Sequence, residues 1–143
     1  MSICTDAEFA GTPAQAQAQL LALLDAVQSA IGGQWDNRDS PSPRECRLTE
    51  HSPLGVVFTG LRANPSPPAD EARVRAVLDV LADHGMSVGT RPTDSVTVIM
   101  GVHPQNKAFY VDLQMRAHAM TLSGQSACVD GDIDVELDRV NGA

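Results

Sequence analysis

Basic residues, aromatic rings and long apolar runs are all scarce in this sequence. Lysine occurs once, at Lys107, and the remaining basic residues are arginines, so 10 basic side chains face 18 acidic ones for a net charge of −8. That balance excludes nucleic acid as a natural partner, because phosphate contacts need clustered Lys and Arg. It also removes the polybasic attraction that holds proteins on anionic membranes. Aromatic residues are 3% of the chain, namely Phe9, Trp35, Phe58, Phe109 and Tyr110. The core must therefore be built from Leu, Val, Ile, Ala and Met. No apolar run approaches the roughly 18 residues that a membrane-spanning helix needs. Sequence signatures of catalysis are missing too: there is no GxSxG, HExxH, P-loop or GxGxxG.

What is present suits one globular domain. Hydrophobic residues make up 43% of 143, too many for bulk disorder. A chain of this size buries roughly two-thirds of the surface its unfolded form exposes.

Residues 1–11 read as a flexible tether. Thr12, Pro13 and Gln15 then form a helix start, with Thr12 as cap, Pro13 at the first helical position and Gln15 closing a capping box. Leu20, Leu23, Leu24, Val27 and Ile31 follow at helical spacing, and Gly32-Gly33 stops the helix. Residues 34–53 read as a long loop rich in Pro, Ser and charge, which must be tied down or functional. Gly55–Leu61 reads as a strand. A second helix is expected from about Pro67 to His84, with Val74, Val77, Leu78 and Leu81 on one face and Gly85 ending it. Three strand signals close the domain, near 96–102, 109–116 and 118–129. In the first, Val96, Val98, Met100 and Val102 alternate with Thr97, Ile99 and Gly101. In the second, Phe109, Val111, Leu113 and Met115 alternate with polar residues. Short connections imply an antiparallel meander.

The expected fold is α+β and two-layered, in the order α-β-α-β-β-β, with two helices covering one face of an antiparallel sheet. The domain spans 12–129. The core is expected to include Leu23, Leu24, Val27, Val77, Leu78, Leu81, Val98, Phe109, Val111 and Leu113.

The tail, 130–143, is acidic. Asp130, Asp132, Asp134, Glu136 and Asp138 alternate with Ile133, Val135 and Leu137 behind an Asp-Gly turn pair. This pattern predicts an extra C-terminal edge strand. Its acid row, Asp132, Asp134, Glu136 and Asp138, is a candidate docking surface for a basic protein. Residues 133, 137 and 140 also fit helical spacing. A calcium loop over 130–141 fails, because Val135 stands where Gly is needed and Asn141 where Glu is needed.

Cys46 precedes the first strand and Cys128 ends the last. If both strands share a sheet, the two cysteines can bridge; the alternative is a pair of free thiols, one exposed and one buried. A bridge implies an oxidising compartment. Cys4 is then unmatched, and is a lipid site, an intermolecular thiol or an accident. No metal site emerges, since the cysteines lack CxxC spacing. His51, His84, His103 and His118 fall at loops, a helix end and a strand edge, and read as solvated or capping. Asp36 and Asp39, around Trp35, are candidates to line a site in the long loop. The alternative has Trp35 plugging the edge of the core.

Trp35, Cys46 ahead of a strand, a second helix closed by Gly85, and TLSGQSACV over 121–129 come in an order that resembles small actinobacterial envelope lipoproteins of the LppA-like type. The resemblance covers residues 12–129. It implies that Cys4 is the acylated first residue of the mature chain and that Cys46 and Cys128 are bridged. It also implies a membrane-anchored, extracytoplasmic home, with a signal peptide lost from ahead of Cys4 and Met1 not the native start. The leading expectation is a non-enzymatic binding or interaction module on the cell envelope, without a cofactor. Two others stand beside it: a small secreted enzyme using carboxylates with His103 or His118, and an acidic immunity- or antitoxin-type protein.

Overall fold

A computed structural model describes residues 11–47, 51, 53–92 and 96–142. The elements run α1 (Pro13–Ile31), β1 (Asp36–Asn37), β2 (Ser40–Cys46), β3 (Gly55–Asn64), α2 (Glu71–Asp83), β4 (Ser87–Pro92), β5 (Thr97–Val102), β6 (Tyr110–Met115), β7 (Met120–Gln125), β8 (Val129–Asp130) and α3 (Ile133–Val140). The strands form one antiparallel sheet in the order β1-β3-β7-β6-β5-β4. β2 pairs with β3 on the β1 side, and β8 pairs with β3 on the β7 side. The fold is α+β, and β5-β6-β7 is the expected meander.

α1 forms as its first residues dictate. The Thr12 hydroxyl accepts the Gln15 N–H at 3.2 Å while the Gln15 side chain accepts the Thr12 N–H at 2.8 Å. The helix ends where Gly32 takes a positive φ of 79°. Its inner stripe, Leu20, Leu23, Leu24 and Val27, has no solvent exposure. Each such side chain stabilises the fold by about 1.5–3 kcal/mol relative to an exposed one. Beneath it lie Val56 and Phe58 of β3, Val111, Leu113 and Met115 of β6, and Met120 and Leu122 of β7.

α2 starts later than expected. Asp70 caps it by accepting the Arg73 N–H at 2.9 Å, so Pro67 and Pro68 stay outside the helix. Val77 and Leu81 are buried, whereas Leu78 is only partly so.

Four expectations are corrected. The stretch 34–53 is not all loop. β1 and β2 line the outer edge of β3, and Pro41 and Pro43 lie in β2, where the sheet edge tolerates a missing N–H donor. β4 was not expected at all. It is polar and exposed and pairs on one side only, so it carries no apolar alternation. In β5 the buried face is the opposite one: Ile99 is 0% exposed and Gly101 is buried, while Val98 and Met100 are half-buried on the other face. The register decides this, because Ile99 and Gly101 stand opposite Leu113 and Val111, and β6 has the stronger pattern. Both faces of β5 are apolar enough to be the inner one.

The fourth correction is the tail, which is a helix and not a hairpin strand. Only Val129 and Asp130 pair with β3. Asp132 then caps α3, its carboxylate accepting the N–H groups of Asp134 and Val135. Asp134 and Glu136 sit in the first turn and Arg139 in the last, the favourable arrangement for the helix dipole. Ile133 and Val140 pack on the core, and Val135 is 60% exposed. The helical spacing of 133, 137 and 140 therefore wins over period two, because the sheet needs a cover beside β2 more than another edge.

Candidate functional site

The cysteines meet as expected. Cys46 and Cys128 form a disulfide with Cα atoms 5.9 Å apart, across 82 residues of chain. Cys46 stands opposite Gly55, and a Cβ on Gly55 would lie 2.3 Å from the Val129 carbonyl oxygen and 3.5 Å from the Cys128 sulfur. A glycine is needed where β3 passes the Val129 carbonyl. Asn106 holds the other side, its amide donating to the Cys128 carbonyl at 3.0 Å and accepting the Cys128 N–H at 3.2 Å. Cys4, the lipidation candidate, lies outside the described residues.

The acid row of the tail is split by the helix, which does not keep residues two apart on one face. Asp132 is a helix cap, and Glu136 is 8% exposed and bonded to Arg139 at 2.6 Å. Arg139 also reaches Gln17 on α1 and sits 5.6 Å from the centre of the Phe58 ring. Asp132, Asp134 and Asp138 remain exposed, and Glu136 does not. The long-loop carboxylates also part company. Asp36 pairs with exposed Arg38, while Asp39 turns to Arg62 and accepts the Leu61 N–H at 3.0 Å. Trp35 packs against the core edge, its indole N–H donating to the Gly32 carbonyl at 2.9 Å.

Arg62, 3% exposed, is a buried charge that sequence reasoning missed. Its guanidinium bonds Asp39 on one side and Asp25 and Gln28 of α1 on the other. Burial works against its charge, yet the hydrogen bonds and charges of Asp39 and Asp25 prevail and raise its pKa above the ordinary guanidinium value. This is a structural rivet between α1 and the sheet.

The histidines separate. His103 lies in the β5-β6 turn, 5% exposed, stacked on Phe109 with ring centres 6.1 Å apart, and its Nδ1 accepts the Gln105 N–H. His84 caps α2 with its ring against the Val80 carbonyl. Both line a cleft of about 600 Å³ with Asp83, Gly85, Gln15 and Gln19. His118 is exposed in the β6-β7 turn, at the other end of β6. Six strand residues put it roughly 20 Å from His103, so the two share no site. His51 is exposed. Among the described residues no group of three or more His, Cys, Asp or Glu is placed to hold a metal ion, and no helix is long and apolar enough to cross a membrane.

The largest unassigned feature is a whole sheet face. α1, α2 and α3 all pack on the side of Phe58, Ile99, Leu113 and Leu122. On the opposite side, register sets three cross-strand rows. They read Thr59-Gln125-Tyr110-Val102-Ser87, Leu61-Ser123-Asp112-Met100-Gly89, and Ala63-Thr121-Gln114-Val98-Arg91. Leu61 is 41% exposed. Asp112 and Arg91 are the charged side chains of these rows. Tyr110, Met100 and Arg91 are of types enriched at protein interfaces, while Ser87, Ser123, Asp112 and Ala63 are of depleted types. The disulfide closes one end of this face, where Val57 is 2% exposed.

Asp112 lies at the centre. Its Oδ1 is covered and meets no hydrogen-bond donor. Desolvation raises its pKa; a hydrogen bond from Gln114 and the charge of Arg91 offset part of the rise.

No protein-family model matches the chain, and no curated protein matches it. Among solved structures it is similar to a crystal structure of a DUF4853 family protein from Actinomyces odontolyticus ATCC 17982, with a TM-score of 0.63 and 16% identity over 85% of this chain and 70% of that one. At that identity the likeness establishes the fold alone.

Proposed function

We propose that this chain is a non-enzymatic binding module of the cell envelope, tethered through a lipid on Cys4, and that it docks a partner on the helix-free face of its sheet. The observation that carries the docking part is the one-sided placement of all described helices, which leaves Leu61, Tyr110, Val98, Met100 and Val102 uncovered by any helix. A disulfide between Cys46 and Cys128 suits an oxidising, extracytoplasmic compartment and speaks against the cytosolic immunity- or antitoxin-type reading.

Two measurements test the proposal. Mass spectrometry of the protein from its native cells should find the chain beginning at Cys4 with acyl groups attached; an unmodified native start at Met1 overturns the anchor. A photo-crosslinking residue at Ser123 or Thr121 should give discrete adducts in those cells, and one at Ala72 on the outer face of α2 should not. Equal adducts from both positions overturn the docking face. A small secreted enzyme is the second reading, favoured by the cleft that brings His84, His103 and Asp83 together. Loss of a measured hydrolytic activity in His103→Gln would be its support.

A further inference from the structure

We propose that the helix-free face docks a protein which lays an arginine or lysine side chain in the hollow at Gly89 and seats its cationic head against Asp112. This rests on the reading of that face as the docking surface, and it names the chemistry of the partner.

The centre of the face is built for a cation more than for an anion or an apolar group. Asp112 stands between Ser123 on β7 and Met100 on β5, with Tyr110 and Gln114 two residues away on its own strand. Among the described residues the ionisable groups facing it are Tyr110 and, from β4, Arg91, because the helices pack on the other side. Arg91 attracts the carboxylate without forming a direct ion pair. One carboxylate oxygen has no donor at all. A half-buried carboxylate in this condition gains more from a cation delivered with water excluded than a solvated one does, since its desolvation has already been met by the fold.

The way in is the missing side chain at Gly89. A Cβ there would meet nothing within 4 Å. The hollow it leaves holds about 120 Å³, bounded by Gly89, Thr90, Arg91 and Met100. Gly89 and Asp112 share a cross-strand row, two strand spacings or about 9.5 Å apart. Met100 lies between them and is flexible enough to yield. An aliphatic stem over Met100 with a charged head at Asp112 fits the shape of Lys or Arg. The net charge of −8 steers a basic partner toward the molecule and disfavours an anionic membrane as the occupant.

The test is a titration of isotope-labelled protein with n-butylguanidinium, followed by NMR, with n-butylurea as the uncharged isostere. The expected result is saturable shifts concentrated on Gly89, Met100, Asp112 and Ser123, and a fall in the pKa of the Asp112 carboxyl. Binding should weaken about tenfold or more in Asp112→Asn. Gly89→Leu, which fills the hollow, should weaken it equally while the amide spectrum of β6 and β7 stays unchanged. The inference is overturned if n-butylurea acts the same way, if the shifts spread over the acids of the helix layer, or if Asp112→Asn binds as well as the parent. Crosslinking from Ser123 that persists in Asp112→Asn would leave the docking face standing and remove only the cation. Its loss in that variant, with the fold intact, supports the pairing.

Discussion

Arg62 and Asp39 meet through a 2.9 Å ion pair in which the guanidinium is 3% exposed and the carboxylate 22%. Removing one partner of a buried pair leaves an uncompensated charge. Asp39→Ala should therefore cost about 3 kcal/mol, the lower end of the usual range because Asp25 keeps a second hold. Asp25 is 66% exposed, and Asp25→Ala should cost less than about 1 kcal/mol. Urea unfolding midpoints of the two variants would rank them, and an equal effect would refute the buried-rivet account.

The disulfide closes a loop of 82 residues. By the chain-entropy estimate its removal costs about 4.5 kcal/mol. Urea unfolding of Cys46→Ser/Cys128→Ser against the parent measures it, and a difference below about 1 kcal/mol would mean that the unfolded chain is already compact there.

Gly55 and Gly89 make an internal contrast. A methyl group on Gly55 meets the Val129 carbonyl, and one on Gly89 meets open space. Gly55→Ala should destabilise by about 1–3 kcal/mol through overpacking, whereas Gly89→Ala should lie within about 0.5 kcal/mol of the parent. Thermal melts of both would check the pair.

Burial raises the Asp112 carboxyl above its ordinary value of 3.8. The folded state therefore binds the proton more tightly than the unfolded state, and stability falls as pH rises through the window that opens at 3.8. Asp112→Asn should remove that slope and be more stable than the parent at neutral pH. Chemical denaturation at intervals from acid to neutral pH would detect the difference, and parallel curves for the two proteins would contradict it.

Leu24 has no exposure and faces β3, so Leu24→Ala should cost about 2–5 kcal/mol. Leu78 is only partly buried at the core's margin, and Leu78→Ala should cost clearly less. Calorimetry on both variants would decide whether α1 or α2 anchors the helix layer.

Strong local signals were legible in the sequence. α1 carries its own cap, apolar stripe and glycine stop, and β6 alternates so cleanly that either end predicts the other. The cysteine bridge was legible because both residues flank strands of one sheet. Arg62 was not, since a lone arginine in a strand looks solvated until Asp25 and Asp39 arrive from 37 and 23 residues away. The docking face was hidden for a related reason: which side of β5 is inner depends on its register with β6, not on its own residues.

What the sequence alone determined is the set of elements whose information is local: a capped amphipathic helix, a second helix, three meander strands and an acidic balance. What only the tertiary structure decided is everything set by competition for partners. β1, β2 and β4 exist because β3 and β5 have unpaired backbone edges to satisfy, and backbone hydrogen bonding leaves little trace in side-chain pattern. The tail is helical because Ile133 and Val140 find an uncovered patch of core, which a period-two count within the tail cannot see. Asp112 and Arg91 come to share one sheet face for the same reason: their neighbours there come from other strands, and only pairing brings them together.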